Sequence, residues 1–386
     1  MDLGTPERER PALHGVVTPR RVAGLLLAAG VAAALLAGVA GGLARVGVVP
    51  AVLAEAGWLP RAALAHAALM VCAFMGTVIG VERAVAARHP LAWLPPIASA
   101  ASGACLLAGA DDAAGLLLAA AGVAFTAVNV LLVRRQPAAH TALLLVSALA
   151  WLAGNLLFAA GASGGAVLPW WFAFLIITIA AERLEMTRLM RRRPGAQASL
   201  QQAVLGLMLL GAAASGPWPL AGGLLYGAAL VALAAWLVVF DIARRTIRAE
   251  GLPRYMAVCL LGGYGWLAVG GLCWMATAAG LPARDAALHA IGLGFIVSMM
   301  MGHAPVILPA IARIKLLFGP VFYVPLAVLH GSLLLRLLAG ATDLRWRADG
   351  ALFNALALAL FAATAVGAAF AWRRRHGGRQ APTRTP

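Results

Sequence analysis

A chain of 386 residues with 62% hydrophobic and only 11% charged side chains, at a mean hydropathy of +0.89, carries more apolar surface than a soluble domain could hide. Its net charge of +16 would suit a nucleic-acid partner only if the basic residues formed a stripe interleaved with aromatics, and no such stripe exists. The apolar runs last about 20 residues and lack the short polar–apolar alternation of a β-barrel, so the sequence predicts an all-α, polytopic membrane helix bundle with the lipid bilayer as its solvent.

A polar segment, residues 1–21, with Arg8, Arg10, Arg20 and Arg21, opens the chain. The apolar run behind it reaches about Ala44, too long for a signal-peptide core, and is expected to remain as the first span. About twelve spans follow from hydropathy, near 22–44, 62–81, 91–110, 113–133, 138–160, 168–187, 198–216, 219–240, 255–279, 286–311, 318–339 and 350–371, leaving 372–386 as a basic tail. Arginines cluster in alternate connections: Arg134 and Arg135, Arg191 to Arg193, Arg244 and Arg245, and Arg373 to Arg375. By the positive-inside rule both termini and these clusters face the cytoplasm, with Arg45, Arg61, Arg284, Arg345 and Arg347 on the outer side and Arg336 inside the eleventh span. Few lysines (only Lys315) beside abundant Ala, Gly and Arg suggest a high-GC bacterial genome, hence a bacterial cytoplasmic (inner) membrane. Cys72, Cys105, Cys259 and Cys273 all lie in apolar runs without a CxxC pair, which points to packing rather than disulfides or thiolate metal ligation. An echo links the ends of the second and sixth spans, Glu82-Arg83 and Glu182-Arg183 with Glu185; a period of four helices would divide twelve spans into three groups. Glu-Arg pairs that simply end helices at the interface would give the same pattern.

His14, His89, His140 and His376 fall in or beside connections, whereas His66, His289, His303 and His330 lie inside spans, where polar side chains are expensive and tend to mark function. His66 stands about four residues into the second span and His289 about three into the tenth. At ~1.5 Å per residue both lie roughly 5 Å below the outer boundary. Two imidazoles at one depth on different helices suit a bis-histidine haem, or each makes an interhelical hydrogen bond. His303 follows His289 by a spacing that returns it near the same helix face, about 21 Å deeper. His303 and His330 with a thioether from Met299-Met300-Met301 would suit copper or a second haem, given a break in the tenth span at Pro305 or Pro309; Met runs in apolar helices also serve packing. Arg336, with Arg345 and Arg347 in the loop beyond it, is on the side where the propionates of an outer haem would point.

His66-Ala-Ala-Leu-Met70-Val-Cys-Ala-Phe74 with Gly76, and His289-Ala-Ile-Gly-Leu-Gly294-Phe-Ile-Val-Ser-Met299-Met300-Met301-Gly302-His303, resemble the histidine segments of the NnrS family. Those are twelve-span bacterial membrane proteins reported to carry haem and copper and associated with the response to nitric oxide. More distantly the arrangement resembles subunit I of haem–copper oxidases, built from three four-helix groups with a low-spin haem between its second and tenth helices. That resemblance implies His66 and His289 as ligands of a haem b. The sixth and seventh spans carry none of the histidines that subunit I needs for its copper, which argues against oxygen reduction of that type. Relative to the NnrS pattern, His303 replaces a basic residue and the spacing from His66 to Met70 differs.

The expected function is therefore a haem-binding, copper-capable membrane protein of the NnrS type, in redox chemistry or nitrosative stress, with a quinol or cytochrome as redox partner. A b-type cytochrome that only passes electrons and a twelve-span transporter without cofactor are the alternatives. No nucleotide loop, HExxH or Ser/His/Asp set is present to define an enzyme.

Overall fold

The computed structural model describes residues 19–187, 194–312 and 314–377. Residues 1–18 of the expected tail 1–21, the cluster Arg191 to Arg193 and the last residues of the basic tail, 378–386, lie outside the described residues. Within them every regular element is helical, as the long apolar runs require: in lipid a backbone must satisfy its own hydrogen bonds. Among the described residues eleven helices are long and apolar enough to cross a membrane: α1 (Ala23–Ala44), α2 (His66–Ala87), α3 (Pro90–Ala108), α4 (Asp111–Arg135), α5 (Ala139–Ala159), α6 (Gly164–Glu185), α8 (Pro219–Phe240), α9 (Leu252–Ala278), α10 (Arg284–Pro309), α11 (Pro320–Ala341) and α12 (Leu344–His376). Between α6 and α8 the apolar helix α7 (Ser199–Ala214) is shorter. The chain is thus a multi-pass membrane protein.

The helices form a centre and a rim. In α2, α6 and α10 the apolar stretches are 61, 72 and 61% buried, against 17% in α1 and α12. These central helices stand four apart in sequence, and the Glu-Arg echo brings two of them into contact: Arg83 pairs with Glu82 at 2.7 Å and with Glu182 of α6 at 3.4 Å. The last four helices also enclose a core of their own, with Tyr255 and Cys259 from α9, Val297 and Met301 from α10, Leu326 and Leu329 from α11, and Ala357 from α12. A single larger core runs through the helices before them and includes Ile291, Phe295 and Met299 of α10.

Two expectations about boundaries need correction. The eleventh-to-twelfth loop is shorter than hydropathy implied: α12 begins at Leu344, so Arg345 and Arg347 occupy its first turns, and its last turn carries Arg374, Arg375 and His376 instead of ending at 371. Helix formation depends on backbone hydrogen bonds and continues past the hydrocarbon, which hydropathy does not register. The tenth span passes through Pro305 and Pro309 as α-helix from Ser298 to Ala312, and its irregularity lies earlier, in a π-helical stretch, Ala290–Val297. A second π stretch, Leu69–Gly76, occupies the corresponding part of α2. Widened turns of this kind leave carbonyls to be satisfied by side chains. The Ser99 hydroxyl from α3 donates to the Cys72 carbonyl at 2.7 Å, and that of Thr77 donates to Ala73 at 2.7 Å.

Candidate functional site

His66 and His289 stand just before the π stretches of the two central helices, and the fold brings their rings together. Their centroids are 6.3 Å apart and their planes differ by 26°. Two imidazole–metal bonds of ~2 Å each and two half-ring depths of ~1 Å would separate ring centres by about 6 Å. Loose aromatic pairs span that distance too, so the nitrogens decide what the pair can do.

Close packing of α1 sets the first ring. Gly38 and Gly42 form a GxxxG face, and a Cβ at Gly42 would lie 2.7 Å from His66 Cε1. This approach carries the Gly38 carbonyl to 2.7 Å from His66 Nδ1. His289 Nδ1 has matching partners in its own helix, the Asp285 carbonyl at 2.9 Å and the Asp285 carboxylate at 3.1 Å. On the other side of that ring, Arg336 Nη2 lies 3.2 Å from Nε2. A guanidinium has no acceptor, so it donates, Nε2 carries the lone pair and the proton sits on Nδ1. Nε2 of His289 is therefore the unprotonated nitrogen, its lone pair turned to Arg336, and Nδ1 is supported by carbonyl and carboxylate as in metal-binding histidines.

Arg336 does not face the interface. It is buried at 6% exposure and grips Asp285 through two parallel bonds, Nε to Oδ2 at 3.0 Å and Nη2 to Oδ1 at 2.8 Å. Its Nη1 reaches the Asn354 amide oxygen at 3.5 Å, and Asn354 Nδ2 donates to the Ser332 hydroxyl at 2.6 Å. One network thus joins α10, α11 and α12 beside the paired rings.

Two cavities meet at the histidines. The deeper, about 150 Å³, is apolar, with Met70, Phe74, Phe172 and Ile296 in its wall. The other, about 620 Å³, opens at the helix ends and is lined by Arg45, Arg284, Arg336 and Arg347 against a single acid, Asp285. An apolar floor below a basic mouth suits a flat apolar molecule bearing carboxylates, and the larger volume lies in the range of ordinary ligand pockets.

The other intramembrane histidines take separate partners. His303 Nδ1 lies 2.7 Å from the Met299 carbonyl and Nε2 lies 3.2 Å from Arg183 Nη1, while Arg183 pairs with Asp241 at 3.1 Å. His330 Nδ1 accepts the Trp266 indole hydrogen at 2.6 Å, which puts its own proton on Nε2, 3.5 Å from the Ser298 hydroxyl. The methionine run is divided by packing: Met299 is buried in the large core and Met301 in the core of the last four helices. Among the described residues no group of three or more His, Cys, Asp or Glu could hold a metal ion.

Of the residues singled out in the sequence, His66, His289 and Arg336 lie together here; Asp285, Asn354, Gly42 and the cavity arginine Arg45 were not among the candidates. Asp285 precedes His289 by one helical turn, a spacing that signals an acid beneath the ring. Arg347 lines the basic cavity as α12 begins, whereas the backbone nitrogen of Arg345 instead donates to Asp343.

Long apolar helices around a buried trio, with a paired-histidine cavity at one end, define a polytopic α-helical membrane protein. The chain belongs to the family described as a domain of unknown function (DUF8744), whose model matches residues 21–370. No curated protein and no solved structure shows significant similarity to it.

Proposed function

We propose that this protein binds a haem b between His66 and His289 and acts in redox chemistry within the bacterial cytoplasmic membrane. The observation that carries the reading is the pair of opposed imidazoles, each with Nδ1 against a carbonyl and with Nε2 of His289 free of a proton. The cavities support it: the wider one, about 620 Å³, has the volume of an ordinary ligand pocket and meets the apolar one at the histidines, and its arginines leave excess positive charge for two propionates, Arg336 and Arg347 among them. Bound in this way the group would supply one-electron chemistry. His66 and His289 would hold the iron and Asp285 would orient the His289 ring. The link to nitric oxide rests on the resemblance of the two histidine segments to NnrS proteins. Copper at His303 and His330 is not part of the proposal, because the Trp266 indole on Nδ1 holds the His330 proton on Nε2 and the Met299 and Met301 side chains are buried in different cores.

Visible spectra of the detergent-purified protein, oxidised and reduced, test the reading. The expected result is a six-coordinate haem spectrum that His66→Ala and His289→Ala each abolish. Arg336→Leu paired with Asp285→Asn should retain the fold and weaken haem retention about tenfold, the worth of one charge-assisted contact. A haem-free preparation, or haem spectra unchanged in both histidine variants, refutes the proposal.

A further inference from the structure

A smaller cavity of about 190 Å³ lies beside the haem cavity, between α6, α8, α9 and α10, and shares Gly164, Leu168, Arg284 and Leu288 with its wall. Leu288 is the residue before His289, so whatever occupies this space lies one side chain from the paired rings. At this volume, below the usual range for drug-sized ligands, it admits a single substituted ring and no macrocycle.

Its polar groups are of two kinds. The Ser215 hydroxyl donates to the Gly211 carbonyl at 2.8 Å and the Thr277 hydroxyl donates to Cys273 at 2.8 Å. Both hydrogens are spent within their own helices, which leaves the oxygens as acceptors facing the cavity. Trp274 and Arg284 supply donors, the indole and guanidinium N–H groups, and among the described residues no acidic side chain lines the wall. A cation would find no partner there. A ring whose hydroxyls donate and whose carbonyl oxygens accept would find both, with the Trp274 indole alongside. The rim residues Gly164, Pro219 and Arg284 are exposed at the helix ends, where a polar head meets the membrane interface and a hydrocarbon tail can enter lipid.

We infer that this cavity is a binding site for the headgroup of a quinol or quinone. The inference rests on the proposed redox role for its significance, since a lipid-soluble electron carrier would sit beside the redox group, but the cavity's lining does not depend on haem. Binding is therefore measured without haem, by quenching of tryptophan fluorescence and by equilibrium dialysis with a short-tailed benzoquinone and its quinol. Saturable binding to the full-length protein is expected. Thr277→Val and Arg284→Leu should each weaken it about tenfold, Trp274→Phe should remove the largest share of the quenching, and the exposed-site variant Leu220→Ala should leave both unchanged. A His66→Ala, His289→Ala protein should still bind the quinone, which separates this inference from the haem reading. Absence of saturable binding, or equal affinity in the Thr277, Arg284 and Leu220 variants, overturns it.

Discussion

Four glycines of α1 provide a graded test of how closely this helix approaches the histidine site. Alanine at each adds one methyl group, and the surroundings differ. Gly24 has nothing within 4 Å of the new Cβ, so only helix propensity acts, and Gly24→Ala should stabilise by up to ~1 kcal/mol. At Gly38 the Cβ would meet the Met70 sulfur at 2.6 Å, the end of a flexible thioether that can swing aside, and the net effect should be near zero. At Gly42 it would meet the His66 ring at 2.7 Å and at Nδ1 at 3.0 Å. That ring is held by the Gly38 carbonyl, and moving it should cost about 1–3 kcal/mol. Gly41 is worst placed: its Cβ would run into the Ala62 carbonyl and lie 2.8 Å from the Ala63 nitrogen, backbone of the short helix Leu59–Leu64 that leads into α2. Backbone in a helix cannot swing aside, so Gly41→Ala should cost ~3 kcal/mol or more. Thermal unfolding of the four purified variants in one detergent measures the order. If Gly41→Ala is no less stable than Gly24→Ala, α1 does not make this approach and the support of His66 by Gly38 falls with it.

A buried amide offers a second measure of the core. Asn155 accepts from the Trp171 indole at 2.9 Å and donates to the Leu118 carbonyl at 2.9 Å, joining α4, α5 and α6. Asn155→Leu should cost about 1–3 kcal/mol by stranding the indole, and adding Trp171→Phe should recover part of it; a double variant less stable than the single one would refute that account. Orientation is open to labelling in cells. With the other native cysteines replaced, Glu55→Cys in the α1–α2 connection should react with an impermeant maleimide in intact cells, and Gln136→Cys in the α4–α5 connection only after permeabilisation. The reverse pattern would invert the topology read from the arginines.

Much of the architecture was legible because the bilayer permits few solutions. About 20 apolar residues must make one crossing, and the spacing of arginines then orders the crossings. The level of His66 and His289 followed from counting residues along such spans. Facing was not legible, because rotation of a helix about its axis depends on neighbours such as Gly42 that hydropathy counts as merely apolar. Arg336 was visible as an intramembrane charge, but its partner Asp285 sits at a helix start and looked like part of a connection. The partners that His303 and His330 take on other helices, Arg183 and Trp266, were not legible either. The π stretches left no mark in composition, since they change which carbonyl an amide reaches and not which residues are present.

Those stretches give α2 and α10 a property that an even helix would lack. Near one end of α2, His66 must face α10; near the other, Arg83 must meet Glu182 of α6. In a regular helix the angle between such groups is fixed by their separation at about 100° per residue. A widened turn between them, Leu69–Gly76, shifts the phase of one half against the other. Shortening α2 by one residue within that turn would therefore leave its length nearly unchanged and its hydropathy intact, yet swing one of its two polar ends away from its partner. Such a helix behaves like a shaft with a coupling in the middle, set so that both ends engage at once.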